Sequence, residues 1–334
     1  MFENKKILIT GGTGSLGKAL TKKLLEKKVH TIRIFSRNES KQIEMDEQFN
    51  DNRLRFFLGD IRDKDRLIRA IEDVDFVFHA AALKHVPKIE YNPFEAIKTN
   101  VIGSQNVIDA CIHNNVEKSI CIGTDKAVSP LNTYGATKLL MEKLFVTANN
   151  YLDPLQHKTK FIAVRYGNVL GSSGSVIPKF INQLKNKEKI TVTNYDMTRF
   201  SITMDEALEF ILKAAELGRG SEIFIPKIRA YNILDVINAL KKIIGDYGEE
   251  NIGIRPGEKL HETLINSEEI RYSWEYENLY LISNPLYSSF HPNKINEIYP
   301  NIKKITDFDS YSSDIVEKIP SSELEQIFKK TNLL

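Results

Sequence analysis

The sequence predicts an α/β fold, in which a doubly wound parallel sheet is followed by a smaller C-terminal lobe. Over the first 125 residues, short apolar stretches alternate with helical ones, and beyond residue 166 this alternation stops. Short strands that are apolar along their whole length are typical of parallel sheets covered by helices on both faces. The first part of the chain therefore predicts the sheet, and the second part predicts the smaller lobe.

The periodicity of apolar residues gives the individual elements of the sheet. The predicted strands are 7–10, 31–36, 54–58, 75–79 and 119–123. The predicted helices are 15–27, 39–49, 64–71, 94–113 and 133–149, with a further one at 176–184 after a glycine-rich loop. Each of the first five helices follows a strand, as the crossover connections of a parallel sheet require.

A glycine-rich turn joins the first strand to the first helix. Gly11, Gly14 and Gly17 are three residues apart, in a GxxGxxG pattern. Such glycines permit a tight turn, a close backbone approach to a pyrophosphate, and anion binding at a helix N-terminus. A purely structural turn is the alternative. The position between strand and helix favours dinucleotide binding and a Rossmann-type sheet.

The end of the second strand indicates which dinucleotide would bind. An acidic residue there would accept from the ribose 2′-hydroxyl of NAD, but this chain has Ser36 and Arg37. A hydroxyl and a guanidinium suit a 2′-phosphate, and Lys41 would add positive charge. The sequence therefore favours NADP over NAD, with a solvated helix start as the alternative.

Later strand ends place further polar and small residues at the same edge of the sheet. Asp60 is suited to accept from an adenine amine, and Ala80 and Ala81 allow a dinucleotide to approach the backbone. Lys84 and His85 follow in the next loop, where they are either ligand contacts or solvated charges. Ligands of open α/β sheets bind at this edge.

Composition excludes several classes of partner. The 334 residues include 46 basic and 44 acidic ones, a formal net charge of +2, which is too balanced for a general nucleic-acid or anionic-membrane partner. The apolar runs are too short for a signal peptide or a membrane span. Cys111 and Cys121 are not in a metal-binding spacing and are expected to be reduced thiols. We expect a cytoplasmic protein without a metal site.

Acid–base chemistry is indicated by residues 124–138. Tyr134 and Lys138 are four apart and share a face of the predicted helix, and an ammonium beside a phenol favours the phenolate. The pattern alone also arises by chance in amphipathic helices. Asp125 and Lys126 stand just upstream, either as a second proton-transfer pair or as a loop ion pair.

Taken together, these stretches resemble the extended short-chain dehydrogenase/reductase family. The chain is most similar there to the nucleotide-sugar 4,6-dehydratases acting on UDP-N-acetylglucosamine, in particular the configuration-inverting group that begins pseudaminic acid synthesis. The resemblance spans about residues 5–285. The stretches that carry it are TGGTGSLG at 10–17, SRNESKQ at 36–42, HAAALKHVP at 79–87, KTN at 98–100, TDKA at 124–127, YGATK at 134–138, RYGNV at 165–169, MTRF at 197–200 and IRPGEKLHE at 254–262.

The resemblance implies a role for each catalytic group. Tyr134 would take the proton of the sugar 4-hydroxyl as hydride leaves C4, and Lys138 would lower the phenol pKa and hold the nicotinamide ribose. Lys126 would remove the C5 proton as a neutral amine, and Asp125 would protonate the departing 6-hydroxyl. Thr124 completes the implied catalytic set.

The resemblance also implies two binding sets. The expected NADP, tightly bound and regenerated in each turnover, would contact Gly11, Thr13, Gly14, Ser15, Leu16, Gly17, Ser36, Arg37, Asn38, Lys41, Asp60, Ile61, Ala80, Ala81, Lys84, Thr99, Asn100, Tyr134, Lys138 and Val169. The UDP-sugar would contact Lys84, His85, Asn168, Val176, Pro178, Arg199, Arg255 and Glu258.

The domain organisation expected from the sequence has three parts. Residues 1–167 with about 199–217 form the NADP-binding domain, about 168–198 and 218–285 form the nucleotide-sugar lobe, and 286–334 form a tail without an assigned function. A homo-oligomer, dimer or hexamer, is expected from the resemblance. The rival functions are a retaining 4,6-dehydratase, a C4 or C5 epimerase of a UDP-sugar, and a non-catalytic NADP-binding sensor or scaffold.

Overall fold

The computed structural model describes residues 1–153, 155–172, 175–284, 286 and 295–331. Its strands are β1 Lys6–Thr10, β2 Thr31–Ser36, β3 Leu54–Leu58, β4 Phe76–His79, β5 Lys118–Ile122, β6 Lys160–Val164, β7 Asn168–Val169, β8 Ile190–Val192, β9 Thr198–Ile202, β10 Ile223–Pro226, β11 Ala230–Asn232, β12 Glu249–Asn251, β13 Thr263–Ile265, β14 Ser273–Tyr276, β15 Leu279–Ile282, β16 Lys303–Lys304 and β17 Tyr311–Ser312.

Helices connect and cover these strands. They are α1 Ser15–Leu25, α2 Glu39–Phe49, α3 Lys64–Ile71, α4 Val86–Tyr91, α5 Pro93–Ala96, α6 Gly103–His113, α7 Thr133–Ala148, α8 Val176–Lys185, α9 Met204–Leu217, α10 Ile233–Ile244, α11 Ile295–Ile298 and α12 Ser321–Lys330. Short 3₁₀ turns occur at Asp125–Ala127, Asn149–Tyr151 and Glu269–Tyr272, and a π-helix at Ile97–Ile102. Within the described ranges, no helix is long and apolar enough to cross a membrane.

The main sheet confirms the predicted fold class. Its order is β16-β14-β15-β10-β6-β5-β4-β1-β2-β3. The seven neighbouring strands at one end of this order, β10-β6-β5-β4-β1-β2-β3, all pair in parallel. The chain order reverses beside β1, because β2 and β3 lie on one side of it and β4 to β6 on the other. In open α/β sheets such a reversal opens a crevice at the carboxyl edge, where ligands bind.

The main sheet includes strands from a part of the chain that was predicted to lie in the smaller lobe. The strands β10, β14 and β15 belong to it, although the range 218–285 was expected to form the smaller lobe. The reason is that β10 is buried along its whole length and pairs in parallel with β6, while β15 and β14 extend the edge as an antiparallel hairpin.

The predicted single helix at 94–113 is instead three consecutive segments, α5, the π-helix and α6. Asn100 lies in the π-helix and is fully buried. Its side-chain amide donates to the Leu83 carbonyl at 3.0 Å and to Thr137 Oγ1 at 3.0 Å, and its oxygen accepts from Leu83 N at 2.8 Å. The buried Asn100 side chain is thus bonded to both Leu83 and Thr137 at the π-helical turn. Such turns are common at functional sites.

A separate hydrophobic core marks the smaller lobe. It contains Phe180 and Leu184 of α8, Ile237 and Leu240 of α10, and Phe328 of α12. The tail therefore contributes to this core, and its β17 pairs with β13. Part of the tail for which no function was predicted (287–294 and 332–334) lies outside the described residues.

Candidate active site

A cavity of about 1820 Å³ lies at the carboxyl edge of the sheet, between the sheet and the smaller lobe. Every site residue predicted from the sequence lines it except Asn100 and Asp125. Both exceptions are fully buried beside it, where Asn100 supports the loop after β4 and Asp125 lies directly before Lys126. The structure thus brings into one place residues that are up to 247 positions apart in the chain, from Gly11 to Glu258.

The glycine turn forms the narrow wall of the cavity. Gly11 has a φ of +67°, and a Cβ there would lie 2.9 Å from the Ala81 Cα. A Cβ on Gly17 would lie 2.4 Å from the Gly12 carbonyl oxygen. Gly14 is the N-cap of α1, with no side-chain cap and no acidic residue in the first turn. This helix start leaves room and backbone N–H groups for a pyrophosphate, and the residues fit a dinucleotide.

The outer end of this groove has both positively and negatively charged side chains. Arg37 Nη1 lies 3.8 Å from Asp60 Oδ2, and Arg62 Nη2 lies 2.7 Å from the same oxygen. Although partial burial opposes the charged form, the bonds from Arg62 lower the pKa of Asp60 below its ordinary value. Ser36 Oγ accepts from Gln42 Nε2 at 3.0 Å. Arg62 was not predicted, and it bonds the Asp60 carboxylate that was expected to accept from an adenine amine.

The predicted acid–base pair is in direct contact. Lys126 Nζ donates to Asp125 Oδ1 at 3.0 Å and to Asn168 Oδ1 at 3.0 Å, and Thr124 Oγ1 donates to Asp125 Oδ1 at 2.9 Å. The tight 3₁₀ turn at Asp125–Ala127 allows these neighbouring side chains to meet. Asn168 continues the network, because its Nδ2 donates to the Tyr231 hydroxyl at 3.5 Å.

Lys126 is held in an ion pair in the protein alone, and its surroundings favour the ammonium form. Burial opposes its charge, but the carboxylates of Asp125 and Glu262 raise its pKa above the ordinary value. The contact of Lys126 with Asp125 at 3.0 Å makes them an ion pair. The neutral amine that the resemblance implies for the reaction stays a prediction.

Tyr134 and Lys138 lie on the buried face of α7, as predicted. Lys138 Nζ donates to the Ile122 carbonyl at 2.6 Å, and burial lowers its pKa. Burial also raises the pKa of Tyr134, and the cation that opposes this is Lys126. In the protein alone the pKa of Tyr134 is therefore raised rather than lowered as expected, because desolvation outweighs the opposing charge of Lys126.

The start of α7 is packed against the Lys126 turn. Asn132 caps the helix by accepting from Gly135 N at 2.8 Å, and a Cβ on Gly135 would lie 2.3 Å from the Lys126 carbonyl oxygen. Only glycine permits this approach. It fixes the tyrosine-bearing helix relative to the acid–base pair.

One charged residue that the sequence did not single out completes this part of the cavity. Glu262 is 4% exposed, and its Oε1 lies 3.6 Å from Lys126 Nζ and 3.9 Å from Arg199 Nε. It is the last residue of the stretch 254–262, which resembles the family, but no sequence pattern predicts its contact with Lys126. Only the fold brings the two together.

The predicted nucleotide contacts differ in how accessible they are. Arg199 is buried, and its Nη1 and Nη2 donate to the backbone carbonyls of Thr198, Lys259 and Leu260 at 2.7–3.0 Å. Arg255 is exposed, and its backbone N–H donates to the Glu258 carboxylate at 3.2 Å. Arg199 therefore already organises the segment before Glu262, whereas Arg255 presents its guanidinium to solvent at the cavity.

The remaining predicted residues lie around the cavity mouth and floor. Lys84 and His85 are exposed just before α4, Val169 lies in β7, and Val176 and Pro178 begin α8. Among the described residues, no group of three or more histidine, cysteine or acidic side chains has the geometry to hold a metal ion. Cys111 and Cys121 are free and buried.

Comparison with known proteins places these features in context. A family model described as a polysaccharide biosynthesis protein matches residues 7–284. A UDP-N-acetylglucosamine 4,6-dehydratase (inverting) from Campylobacter jejuni is 50% identical over 321 residues, with 94% of each chain covered. A UDP-glucose 4-epimerase from Rickettsia bellii is 40% identical, with 98% of this chain and 96% of that protein covered. The crystal structure of Pen from Bacillus thuringiensis superposes with a TM-score of 0.91 at 39% identity, and the match covers 100% of both chains. These matches confirm the resemblance that the motifs indicated.

Proposed function

The chain belongs to the polysaccharide biosynthesis protein family, and we propose that it is a UDP-N-acetylglucosamine 4,6-dehydratase that inverts C5. The observation that carries the proposal is the Asp125–Lys126 pair held at 3.0 Å beside Tyr134. An oxidation at C4 needs only the tyrosine and a dinucleotide. A second acid and base are needed only when a C–H bond and a C–O bond are also broken. The 50% identical Campylobacter relative with this name supports the assignment.

Each group has a defined task in the proposed reaction. Gly11, Gly14 and Gly17 would hold a nicotinamide dinucleotide, which would supply hydride transfer from C4 of the sugar and back to C6. Tyr134 takes the proton of the 4-hydroxyl. The resulting 4-keto group acidifies C5–H, Lys126 removes that proton, and Asp125 protonates the 6-hydroxyl, which leaves as water. A proton from the solvent must finally reach C5 from the opposite face, which inverts this centre.

The state of the acid–base pair is compatible with these tasks. An ionised Asp125–Lys126 pair and a neutral one contain the same number of protons, and they differ by moving one proton across the 3.0 Å contact. The neutral form has the carboxylic acid and the free amine that elimination requires. Such coupled groups titrate as a unit, so no net proton needs to enter before reaction.

We also propose that the dinucleotide is NADP, tightly held and regenerated in each turnover, with NAD as the weaker alternative. The Arg37 side chain is 57% exposed at the groove end, and Ser36 lies beneath it. A guanidinium in this position suits a 2′-phosphate. Dinucleotide released from the purified protein by denaturation and analysed by mass spectrometry distinguishes the two.

The decisive experiment is incubation of the purified protein with UDP-N-acetylglucosamine without added cofactor. We expect a product lighter by one water and carrying a 4-keto group. NMR of the product formed in heavy water gives the C5 configuration, and inversion with deuterium at C5 is expected. Retention at C5 would support the retaining reaction. Turnover of UDP-glucose but not of UDP-N-acetylglucosamine would overturn the proposed substrate.

A UDP-sugar epimerase is the second candidate, because the 40% identical Rickettsia bellii relative carries the name UDP-glucose 4-epimerase. An epimerase would give a product with the mass of its substrate. The Asp125–Lys126 contact favours the dehydratase, since moving hydride from and to C4 requires no second proton-transfer pair. A non-catalytic NADP sensor would turn over neither sugar.

We further propose that the enzyme is a cytoplasmic homo-oligomer, dimer or hexamer, that supplies bacterial glycan or pseudaminic acid synthesis. The exposed side chains of Phe94, Ile97, Ile102 and Leu140 lie on adjoining helical segments and support an oligomer contact there. Light scattering after size-exclusion chromatography measures the oligomer, and Phe94→Glu with Leu140→Glu should dissociate it. An unchanged mass would overturn this contact.

A further inference from the structure

We propose that Glu262 positions Lys126 for proton transfer, and that Ser313 of the C-terminal segment holds Glu262 in place. The inference rests on the proposed function, because it concerns how the residue that removes the C5 proton is held. Neither residue was a candidate in the sequence. Glu262 is a positioning residue here, since it acts through Lys126.

The first argument is the contact geometry of Lys126. Its ammonium lies between two carboxylates, at 3.0 Å from Asp125 Oδ1 and 3.6 Å from Glu262 Oε1. The Asp125 side chain is 0% exposed and that of Glu262 is 5% exposed. Within the described part of the chain, Asp125 Oδ2 and Glu262 Oε2 are buried oxygens without a hydrogen-bond partner. Burial of two carboxylates with unpaired oxygens is costly, and such costs are typical of functional sites.

The second argument is the charge balance around the pair. Glu262 faces Lys126, Arg199 and Lys259, whose nitrogens lie 3.6, 3.9 and 4.0 Å from its carboxylate. The phenols of Tyr134 and Tyr231 also interact with the charge of Lys126. If Asp125 receives the proton of Lys126, Glu262 still provides a negative charge beside the amine. Glu262 therefore keeps the lysine oriented while Asp125 changes its charge.

The third argument is the way in which Glu262 is held. Its backbone N–H donates to Ser313 Oγ at 2.9 Å, and its carbonyl accepts from Ser313 N at 2.8 Å. Ser313 is 0% exposed, and its hydroxyl also hydrogen-bonds Thr198 Oγ1 at 2.7 Å. One buried serine thus fixes the backbone of Glu262 and the start of the strand that bears Arg199. The tail, which had no predicted function, supports the acid–base side of the cavity.

The first test measures the protonation of Lys126 without catalysis. Brief acetylation of the holoenzyme with acetic anhydride over a pH series, followed by peptide mass spectrometry, gives the pH at which Lys126 becomes reactive. In Glu262→Gln this midpoint should fall by about one pH unit, because a carboxylate in contact is lost. Glu262→Asp, which keeps the charge, should restore it. Glu268→Gln, a change at an exposed carboxylate six residues away, should leave it unchanged.

The second test measures turnover of UDP-N-acetylglucosamine by the same proteins. Glu262→Gln should lower kcat about tenfold with little change in KM, since misplacing a reacting group slows the chemical step. The alkaline limb of its kcat profile should move to lower pH with the acetylation midpoint. Ser313→Ala should lower kcat by a smaller factor, and Ser310→Ala should not.

The outcomes separate the inference from the proposed function. If the wild-type protein does not dehydrate the sugar, the proposed function fails, while the acetylation series still reports on Lys126. If the wild type is active and the midpoint and alkaline limb of Glu262→Gln do not move, the inference is overturned. If Glu262→Gln loses its bound dinucleotide or the circular dichroism spectrum of the folded protein, the test uses the kcat of Ser313→Ala instead. An unchanged kcat in that variant overturns the role of the tail.

Discussion

The two sides of the cavity are built in opposite ways. The centre of the dinucleotide side is one contiguous turn, residues 11–17, which offers backbone N–H groups and room where side chains are absent. The acid–base side is made of side chains from Asp125, Lys126, Arg199 and Glu262, held by Ser313. The first side therefore depends on steric room, and the second depends on mutual charge and long-range packing.

Two lysines show what this difference means for chemistry. Lys138 faces the Ile122 carbonyl, and burial lowers its pKa. Lys126 is also buried, but two carboxylates raise its pKa. The pKa values of these two lysines, one before and one after Tyr134 in the sequence, are thus shifted in opposite directions. Burial alone does not decide the charge of a lysine, because its ion partners outweigh desolvation in one case and are too weak in the other.

Replacing Lys126 by alanine gives the largest expected effect and tests whether the acid–base side is separate from cofactor binding. Without the base, dehydration should fall by about 10²–10⁴-fold. The dinucleotide should remain bound, because the glycine turn is untouched. Turnover and the released dinucleotide measure the two effects. Lys88→Ala, at an exposed lysine of α4, serves as the control. Loss of the dinucleotide would mean that Lys126 is mainly a binding residue.

Adding one methyl group to Gly17 should damage the other side. Its Cβ would meet the Gly12 oxygen at 2.4 Å, so the turn must shift, at a cost of about 1–3 kcal/mol or more. We expect loss of the bound dinucleotide and a lower midpoint of thermal unfolding. Gly14→Ala, whose Cβ would lie 3.2 Å from the Gly11 oxygen, should have the smaller effect. Equal behaviour of the two variants would contradict the steric argument.

The difference between the sides also explains what the sequence predicted. The glycine turn and the Tyr134–Lys138 spacing are local patterns, and the structure has both where they were expected. Glu262 lies 136 positions after Lys126, and no local pattern links them. The direction of the Tyr134 pKa was also missed, because it depends on a burial that spacing does not show. Contacts and desolvation that arise only on folding were the unpredictable part.

Replacing Arg37 by alanine should change the cofactor preference rather than abolish binding. The guanidinium is exposed at the groove end, and its loss should weaken NADP by about tenfold while leaving NAD unchanged. Titration calorimetry of the protein freed of its dinucleotide measures both constants. The exposed Arg55 of the neighbouring strand provides the control variant Arg55→Ala. An equal loss for both dinucleotides would argue against a 2′-phosphate contact.

The last effect is on stability rather than on activity, and it concerns His79, which hydrogen-bonds Thr10 at the end of β1. Burial, reinforced by the Lys138 charge, lowers its pKa from 6.5 to about 3. Below pH 6.5 the unfolded chain binds a proton that the folded protein excludes, so this residue makes stability fall as pH decreases to about 3. The slope is at most about 1.4 kcal/mol per pH unit.

Urea unfolding of wild type and His79→Asn between pH 7 and 4 measures this contribution. The stability of the variant should depend less steeply on pH. His113→Asn, at an exposed histidine, should follow the wild type. Parallel curves for His79→Asn and wild type would show that His79 does not make this contribution.

The contact between Ser313 and Glu262 has a consequence for the synthesis of the protein. A ribosome makes the strands of the dinucleotide side first, and early parts of a chain are able to fold as they emerge. Glu262 acquires its clamp only after residue 313 has left the ribosome. In a nascent chain the glycine turn is therefore present long before Glu262 can be held by Ser313.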